Sequence, residues 1–216
     1  MQKTVALFDL DGVVFNTEPL YSGFWKRIFN HYYPEAVDLE MKIKGQTLHE
    51  IYSTYFTQRE EDQRSISQAL AEFEQNMPFI YIEGFKDFLC DLKDNGMKTA
   101  VVTSSNREKM NQVYLQHSNF KSLFDKVLTS EDFEYSKPHP DPYLKGADYF
   151  HVSPSACIGF EDSFNGLKSV KAAQMTVVGL STSNPQSAIA PYCDVVIPHY
   201  AGLTYHHLMA LLSNHS

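Results

Sequence analysis

Short apolar runs alternate with helical patterns over most of this chain, and that alternation constrains the fold more than any other feature. The first run, Val5–Phe8, is continuously apolar and β-prone, as in a parallel strand that is buried on both faces. Five further predicted strands follow, at residues 99–102, 127–128, 156–159, 175–178 and 195–197. Helical patterns between them are typical of βαβ units. The sequence therefore predicts an α/β fold, with a Rossmann-like parallel sheet and helices on both faces.

One helical block interrupts the alternation. Leu20, Phe24, Ile28 and Tyr32 recur every four residues beside a second such column that begins at Tyr21, which makes a wide apolar stripe on one helix. We interpret the stripe as packing surface rather than as an aromatic ligand site. Further helical patterns follow near 48–57 and 60–76. We interpret residues 16–80 as an inserted helical cap domain, and residues 1–15 and 81–216 as the core domain. The cap would sit over the carboxyl ends of the strands, where open α/β sheets bind ligands.

Composition excludes several classes of protein. The 216 residues carry a formal net charge of -8 and no run of lysine or arginine, so we expect no nucleic-acid partner. Three cysteines without a C-x-x-C pair argue against a disulfide framework or a structural zinc site. No signal-peptide pattern precedes Thr4, and no apolar run has the length of a membrane span. We expect a cytoplasmic monomer without a membrane partner.

Polar side chains follow four of the predicted strands. They are Asp9, Asp11, Thr103, Ser104, Lys137, Glu161 and Asp162. Because the carboxyl ends of parallel strands meet at one edge of the sheet, we expect these groups to converge. Several carboxylates at one point repel each other unless a cation is present, and oxygen-only ligands indicate a hard ion such as Mg²⁺.

This set of groups suits phosphoryl transfer. An aspartate that attacks a phosphate meets like-charge repulsion, which a metal ion and a fixed lysine reduce. A second carboxylic acid must protonate the leaving oxygen and later deprotonate water. Asp9 and Asp11 supply such a pair, although a D-x-D turn alone could equally be a helix cap.

Four segments resemble, in order, the motifs of the haloacid dehalogenase-like hydrolase superfamily. They are Asp-Leu-Asp-Gly-Val at 9–13, Val-Thr-Ser at 102–104, Ser-Lys-Pro-His-Pro-Asp at 136–141 and Ile-Gly-Phe-Glu-Asp-Ser at 158–163. The helical block resembles the cap of the branch that holds β-phosphoglucomutase, sugar phosphatases and phosphoglycolate phosphatase. The resemblance covers nearly the whole chain.

The resemblance implies catalytic and metal-binding roles. Asp9 would be the nucleophile, forming an aspartyl-phosphate, and also a metal ligand. Asp11 would be the general acid/base, with its backbone carbonyl as a metal ligand. Lys137 would steady the nucleophile and the phosphate, Asp162 would bind Mg²⁺, and Glu161 would support the metal.

Substrate contacts are also implied by the resemblance. Thr103 and Ser104 would contact the phosphate, and Lys44 and Gly45 in the cap are candidate substrate contacts. An ordinary inter-helix turn remains an alternative interpretation of Lys44 and Gly45.

The resemblance implies a Mg²⁺-dependent phosphatase that acts on a small phosphorylated metabolite, such as a sugar phosphate. A phosphomutase is an alternative, but mutases carry a histidine and an arginine where an ungapped register places Tyr21 and Leu48. Dehalogenases and phosphonoacetaldehyde hydrolases lack the second aspartate of the first motif, so Asp11 argues against both. A non-catalytic phosphate-binding module is a further alternative.

Overall fold

The structure is a computed structural model that describes residues 3–213. Its six strands are β1 (Val5–Phe8), β2 (Lys98–Val102), β3 (Lys126–Leu128), β4 (Cys157–Glu161), β5 (Thr176–Leu180) and β6 (Val195–Ile197). They form one parallel sheet in the order β3-β2-β1-β4-β5-β6, with β1 paired to both β2 and β4. The predicted parallel α/β sheet is confirmed.

The helices are α1 (Glu18–Tyr32), α2 (Leu39–Lys42), α3 (Leu48–Tyr55), α4 (Glu60–Asn76), α5 (Phe85–Asp94), α6 (Arg107–Gln116), α7 (Phe120–Leu123), α8 (Asp141–Tyr149), α9 (Phe164–Ala172), α10 (Gln186–Ile189) and α11 (Tyr205–Ser213). We refer to α1–α4 as the cap helices. The division into domains at residues 15 and 80 stays a prediction, and residues 1–2 and 214–216 of the predicted core domain lie outside the described part of the chain.

Alternate side chains of β1 enter two different hydrophobic cores. Ala6 and Phe8 pack into the core that α5, α6 and α11 cover, whereas Val5 and Leu7 pack into the core that α8 and α9 cover. This follows from the two-residue period of a strand. Burial on both faces explains why the strand reads as continuously apolar.

The cap helices have a hydrophobic cluster of their own. It includes Phe24 and Phe29 of α1, Ile51 of α3 and Ile66 of α4. The Phe24 ring stacks on Phe73 of α4 with centroids 5.0 Å apart, so the α1 stripe is packing surface as predicted. The stripe is not uniformly buried, however, because Leu20 is 37% exposed.

All three cysteines lie in the described part of the chain. Cys90, Cys157 and Cys193 are free thiols. Between residues 3 and 213, each helix is too short or too polar to cross a membrane.

Candidate active site

A cavity of about 1100 Å³ lies between the carboxyl edge of the sheet and the cap helices. The predicted site residues that line it are Asp9, Asp11, Lys44, Gly45, Thr103, Ser104 and Asp162. Lys137 and Glu161 are buried and reach this group through contacts with Asp9 and with each other. Residues that are up to about 150 positions apart in the chain therefore converge, as the parallel topology requires.

Lys137 holds two carboxylates together behind the cavity. Its Nζ lies 2.6 Å from Asp9 Oδ1 and 2.7 Å from Glu161 Oε1, and it donates to the Val102 carbonyl at 3.0 Å. The Tyr143 hydroxyl donates to the same Glu161 oxygen at 2.7 Å. Lys137 is only 1% exposed, so these partners replace its water shell completely.

Like charges are crowded around the Asp9 carboxylate. Burial raises the pKa of Asp9 to about 7; Glu161 and Asp11 add to the rise and Lys137 opposes it. Burial, together with Glu18 and Glu161, raises the pKa of Asp162 well above its usual value. Burial alone would lower the pKa of Lys137, but Asp9 and Glu161 outweigh it and raise that pKa. The site therefore holds more negative than positive charge.

The chemistry of this cluster fits a hard divalent cation. Asp9, Glu161 and Asp162 each offer a carboxylate oxygen, and the three oxygens lie within 4.8 Å of one another. A bound Mg²⁺ would favour the ionised carboxylates that burial and mutual repulsion disfavour. Asp162 is further fixed by hydrogen bonds from the Ser183 hydroxyl to its carboxylate and from Asn184 to its carbonyl.

Gly12 allows the ends of β1 and β4 to approach each other. Its φ is +72°, in the left-handed region that favours glycine, and a Cβ atom there would lie 2.0 Å from Asp162 Oδ2. The glycine of the first motif thus makes room for the aspartate of the fourth.

Asp11 receives three side-chain donors from two directions. Thr17 Oγ1 donates to Oδ1 at 2.5 Å, while Ser105 Oγ at 3.1 Å and Lys109 Nζ at 2.5 Å donate to Oδ2. These donors hold the carboxylate at the cavity wall. Thr17 precedes α1, whereas Ser105 and Lys109 come from the segment after β2.

Sequence reasoning did not identify Lys109, although a signal was present. Lys109 lies in the first turn of α6, after the N-cap Asn106, and the helix dipole disfavours a cation there. The lysine is nevertheless only 4% exposed. Its Nζ lies 4.2 Å from the centre of the Tyr21 ring of α1, so it bridges the core and a cap helix.

Glu74 was also missed, and its signal was an acidic residue on an apolar face. The buried residues of α4 are Ile66, Leu70 and Glu74, spaced four apart on one side of the helix. Glu74 is 8% exposed and accepts a hydrogen bond from the Tyr21 hydroxyl at 2.7 Å. Burial raises its pKa. Tyr21, aligned with the mutase histidine, therefore pairs with a cap carboxylate.

The loop after α2 contacts the core through its main chain. The Ser104 hydroxyl donates to the Gly45 carbonyl at 3.0 Å, and Asn165 donates to the Lys44 carbonyl at 2.9 Å. Lys44 Nζ pairs with Glu18 at 3.0 Å. Thr103 is buried and accepts from the Ser105 N–H at 3.0 Å. The four predicted contact residues, Lys44, Gly45, Thr103 and Ser104, all line the cavity, and their contacts with substrate stay predictions.

Comparison with known proteins covers most of the chain. It is 28% identical over 209 residues to validoxylamine A 7'-phosphate phosphatase of Streptomyces hygroscopicus subsp. limoneus, covering 94% of this chain and 97% of the relative. It is 27% identical over 172 residues to pyrophosphatase PpaX of Bacillus cereus strain G9842, covering 77% and 78% of the two chains.

Solved structures share the fold. A HAD hydrolase, family IA, variant 3, from Entamoeba histolytica HM-1:IMSS superposes with a TM-score of 0.82 at 21% identity, covering 98% of this chain and 100% of that one. A β-phosphoglucomutase from Clostridium difficile superposes with a TM-score of 0.75 at 20% identity, covering 99% of this chain and 98% of that one. At these identities the likeness concerns the fold alone. The family model of haloacid dehalogenase-like hydrolases matches residues 6–180, and the chain belongs to that family.

Proposed function

We propose that this protein is a Mg²⁺-dependent phosphatase that hydrolyses a small phosphorylated metabolite through an aspartyl-phosphate on Asp9. The observation that carries the proposal is the position of Asp9, which is buried at the cavity, 2.6 Å from Lys137 and within 4.8 Å of two more carboxylates. The names of the two relatives, both phosphatases in the broad sense, support the same reaction class.

In the first step a carboxylate oxygen of Asp9 attacks phosphorus, and the bond from phosphorus to the leaving oxygen breaks. Lys137, fixed by Asp9 and Glu161, supplies a permanent positive charge next to the nucleophile. Mg²⁺, held by Asp9, Asp162 and the Asp11 carbonyl with Glu161 in support, would reduce the repulsion between nucleophile and phosphate. Thr103 and Ser104 would hold phosphate oxygens.

Asp11 handles the protons of both steps. Asp11 enters the first step protonated and gives that proton to the leaving oxygen, which departs as an alcohol. The resulting carboxylate then takes a proton from the water that attacks phosphorus, which restores the protonated form. The bond from phosphorus to Asp9 breaks, so inorganic phosphate leaves and both aspartates return to their starting states. Thr17, Ser105 and Lys109 keep the Asp11 carboxylate in place for these transfers.

The cavity has room for the leaving group of a sugar phosphate. Its volume is about 1100 Å³, and Lys44 and Gly45 line it in contact with the core. A sugar phosphate is therefore the first substrate class to test.

The test is phosphate release from a panel of sugar phosphates, phosphoglycolate, nucleotides, pyrophosphate and p-nitrophenyl phosphate, with Mg²⁺ and with a chelator. We expect Mg²⁺-dependent release that falls about a thousandfold or more in Asp9→Asn, since the nucleophile is lost. Asp148→Asn makes the same chemical change at an exposed position of α8 and is the control. Release that persists in Asp9→Asn would contradict the mechanism.

A further inference from the structure

Acidic side chains outnumber basic side chains along the cavity wall. Apart from the aspartates, the acidic residues that line it are Glu18, Glu40, Glu50, Glu74 and Glu134. Among residues 3–213, the lysines that line it are Lys44 and Lys109, and no arginine does. A substrate that enters this space meets mostly negative charge away from its phosphate.

Both lining lysines already have carboxylate partners. Lys44 pairs with Glu18 at 3.0 Å, and Lys109 pairs with Asp11 at 2.5 Å. The lining histidines, His49 and His139, are exposed to solvent. A second anionic group on a substrate would therefore have to compete with existing partners for positive charge.

Glu74 of α4 lines the cavity and is connected to Asp11 through Tyr21 and Lys109. Asp11 is proposed to protonate the leaving oxygen, so the leaving group has to lie beside it. Lys109 connects Asp11 to the Tyr21 ring, 2.5 Å from the carboxylate and 4.2 Å from the ring centre. The Tyr21 hydroxyl contacts Glu74 Oε1 at 2.7 Å. These contacts place a buried carboxylate of the cap close to the proton-transferring aspartate.

The cavity also presents hydrogen-bond acceptors that can take a further donor. Glu74 is a carboxylate with one hydrogen bond from Tyr21. Gln46 lines the cavity, and its side-chain oxygen is buried without a hydrogen-bond partner in the described structure. Buried acceptors are costly unless a donor reaches them, and hydroxyl or ammonium groups of a ligand are such donors.

We propose that Glu74 is a specificity-determining residue, and that the site accepts phosphate monoesters whose leaving group carries hydroxyls and no negative charge. This inference rests on the proposed phosphatase function. A carboxylate or second phosphate on the leaving group would face Glu74 without an unpaired lysine to compensate, so such compounds are discriminated against by repulsion.

The test compares sorbitol 6-phosphate with 6-phosphogluconate. At the end remote from the phosphate, the first compound carries an alcohol and the second a carboxylate. The kcat/KM values are measured for the wild type, Glu74→Gln and Glu72→Gln. Glu74→Gln keeps an acceptor for Tyr21, and Glu72 is an exposed residue of the same helix outside the cavity. If neither compound is hydrolysed, their inhibition constants against p-nitrophenyl phosphate give the same comparison.

We expect kcat/KM of the wild type and of Glu72→Gln to be about tenfold or more higher for sorbitol 6-phosphate than for 6-phosphogluconate. In Glu74→Gln this ratio should fall about tenfold, because KM for 6-phosphogluconate falls. Equal use of the two compounds by the wild type, or a preference for 6-phosphogluconate or pyrophosphate, would overturn the inference but not the phosphatase. An unchanged preference in folded Glu74→Gln would also overturn it. If Glu74→Gln does not fold, the wild-type preference decides. Absence of Asp9-dependent release from every compound would instead refute the phosphatase itself.

Discussion

The cavity has two ends, each built around a lysine that pairs with an aspartate of the first motif. At the phosphate end, Lys137 contacts Asp9 and Glu161, and all three belong to the core. At the leaving-group end, Lys109 contacts Asp11 and stacks over Tyr21 of α1. The first lysine is 1% exposed in its side chain and the second 6%.

The difference lies in which parts of the fold hold each end together. The phosphate end depends on β1, β4, the loop after β3 and Tyr143 of α8, all of which lie outside the cap helices. The leaving-group end depends on Thr17 and Tyr21 next to and within a cap helix, and on Glu74 in another. Under the proposed mechanism, the nucleophile is therefore held by the core, whereas the position of Asp11 and recognition of the leaving group also require the cap helices to be in place.

The largest expected effect is that of Lys137→Met. It leaves Asp9 and Glu161 buried without a cation, so we expect the free energy of unfolding to fall by about 3 kcal/mol and kcat to fall about a thousandfold. Urea denaturation and phosphate release measure the two effects. Lys98→Met is the control, because Lys98 pairs with Asp125 at 3.3 Å and 62% of its side chain is exposed. For an exposed pair of this kind, the free energy of unfolding should fall by less than about 1 kcal/mol. Similar destabilisation by both variants would contradict the account of the phosphate end.

A smaller effect is expected for Lys109→Met, which keeps an unbranched apolar side chain but removes the charged donor to Asp11. We expect kcat to fall about tenfold to a hundredfold with the fold intact, because Asp11 loses a charged hydrogen bond. Steady-state kinetics measure it. Lys121→Met is the matched control. Lys121 Nζ lies 4.2 Å from the centre of the Tyr114 ring, as Lys109 Nζ does from the Tyr21 ring, but Lys121 does not line the cavity. Equal kinetics for Lys109→Met and wild type would remove Lys109 from the site.

The smallest effect is expected for Thr17→Val, which removes one neutral donor to Asp11. The loss of a single neutral hydrogen bond should lower kcat by about threefold to tenfold. Thr17→Ser keeps the hydroxyl and should stay near the wild type. If Thr17→Val is as damaging as Lys109→Met, the ranking of donors to Asp11 by charge is wrong.

Much of the fold could be predicted because the strands of a parallel sheet are buried on both faces. Residues 5–8 and 100–102 read as continuous apolar runs for that reason. The short helices α2, α7 and α10 were not predicted, since four residues are too few for a helical period. The prediction for β5 ended two residues early, because Gly179 and Leu180 lack a distinctive β pattern.

The two ends of the site also differ in how much of each could be predicted from the sequence. Asp9 and Asp162 directly follow β1 and β4, and the sheet topology brings them together, while Lys137 reaches them from the loop between β3 and α8. Lys109 and Glu74 lie within helices, and their meeting at Tyr21 depends on how α1, α4 and α6 pack against one another. The signal was a cation in the first turn of a helix for Lys109 and an acidic residue on an apolar helix face for Glu74, but the sequence alone does not reveal what either residue contacts.

The central claim is that Asp9 takes the phosphoryl group while Asp11 transfers protons. The direct measurement is acid quench of Asp11→Asn with p-nitrophenyl phosphate, whose leaving group needs no protonation, followed by mass spectrometry of the digested protein. We predict a burst of nitrophenolate equal to the enzyme concentration, and the mass of one phosphoryl group on the peptide that contains Asp9, because the hydrolytic water lacks its base. Phosphate release without a burst or an adduct on that peptide would contradict the account.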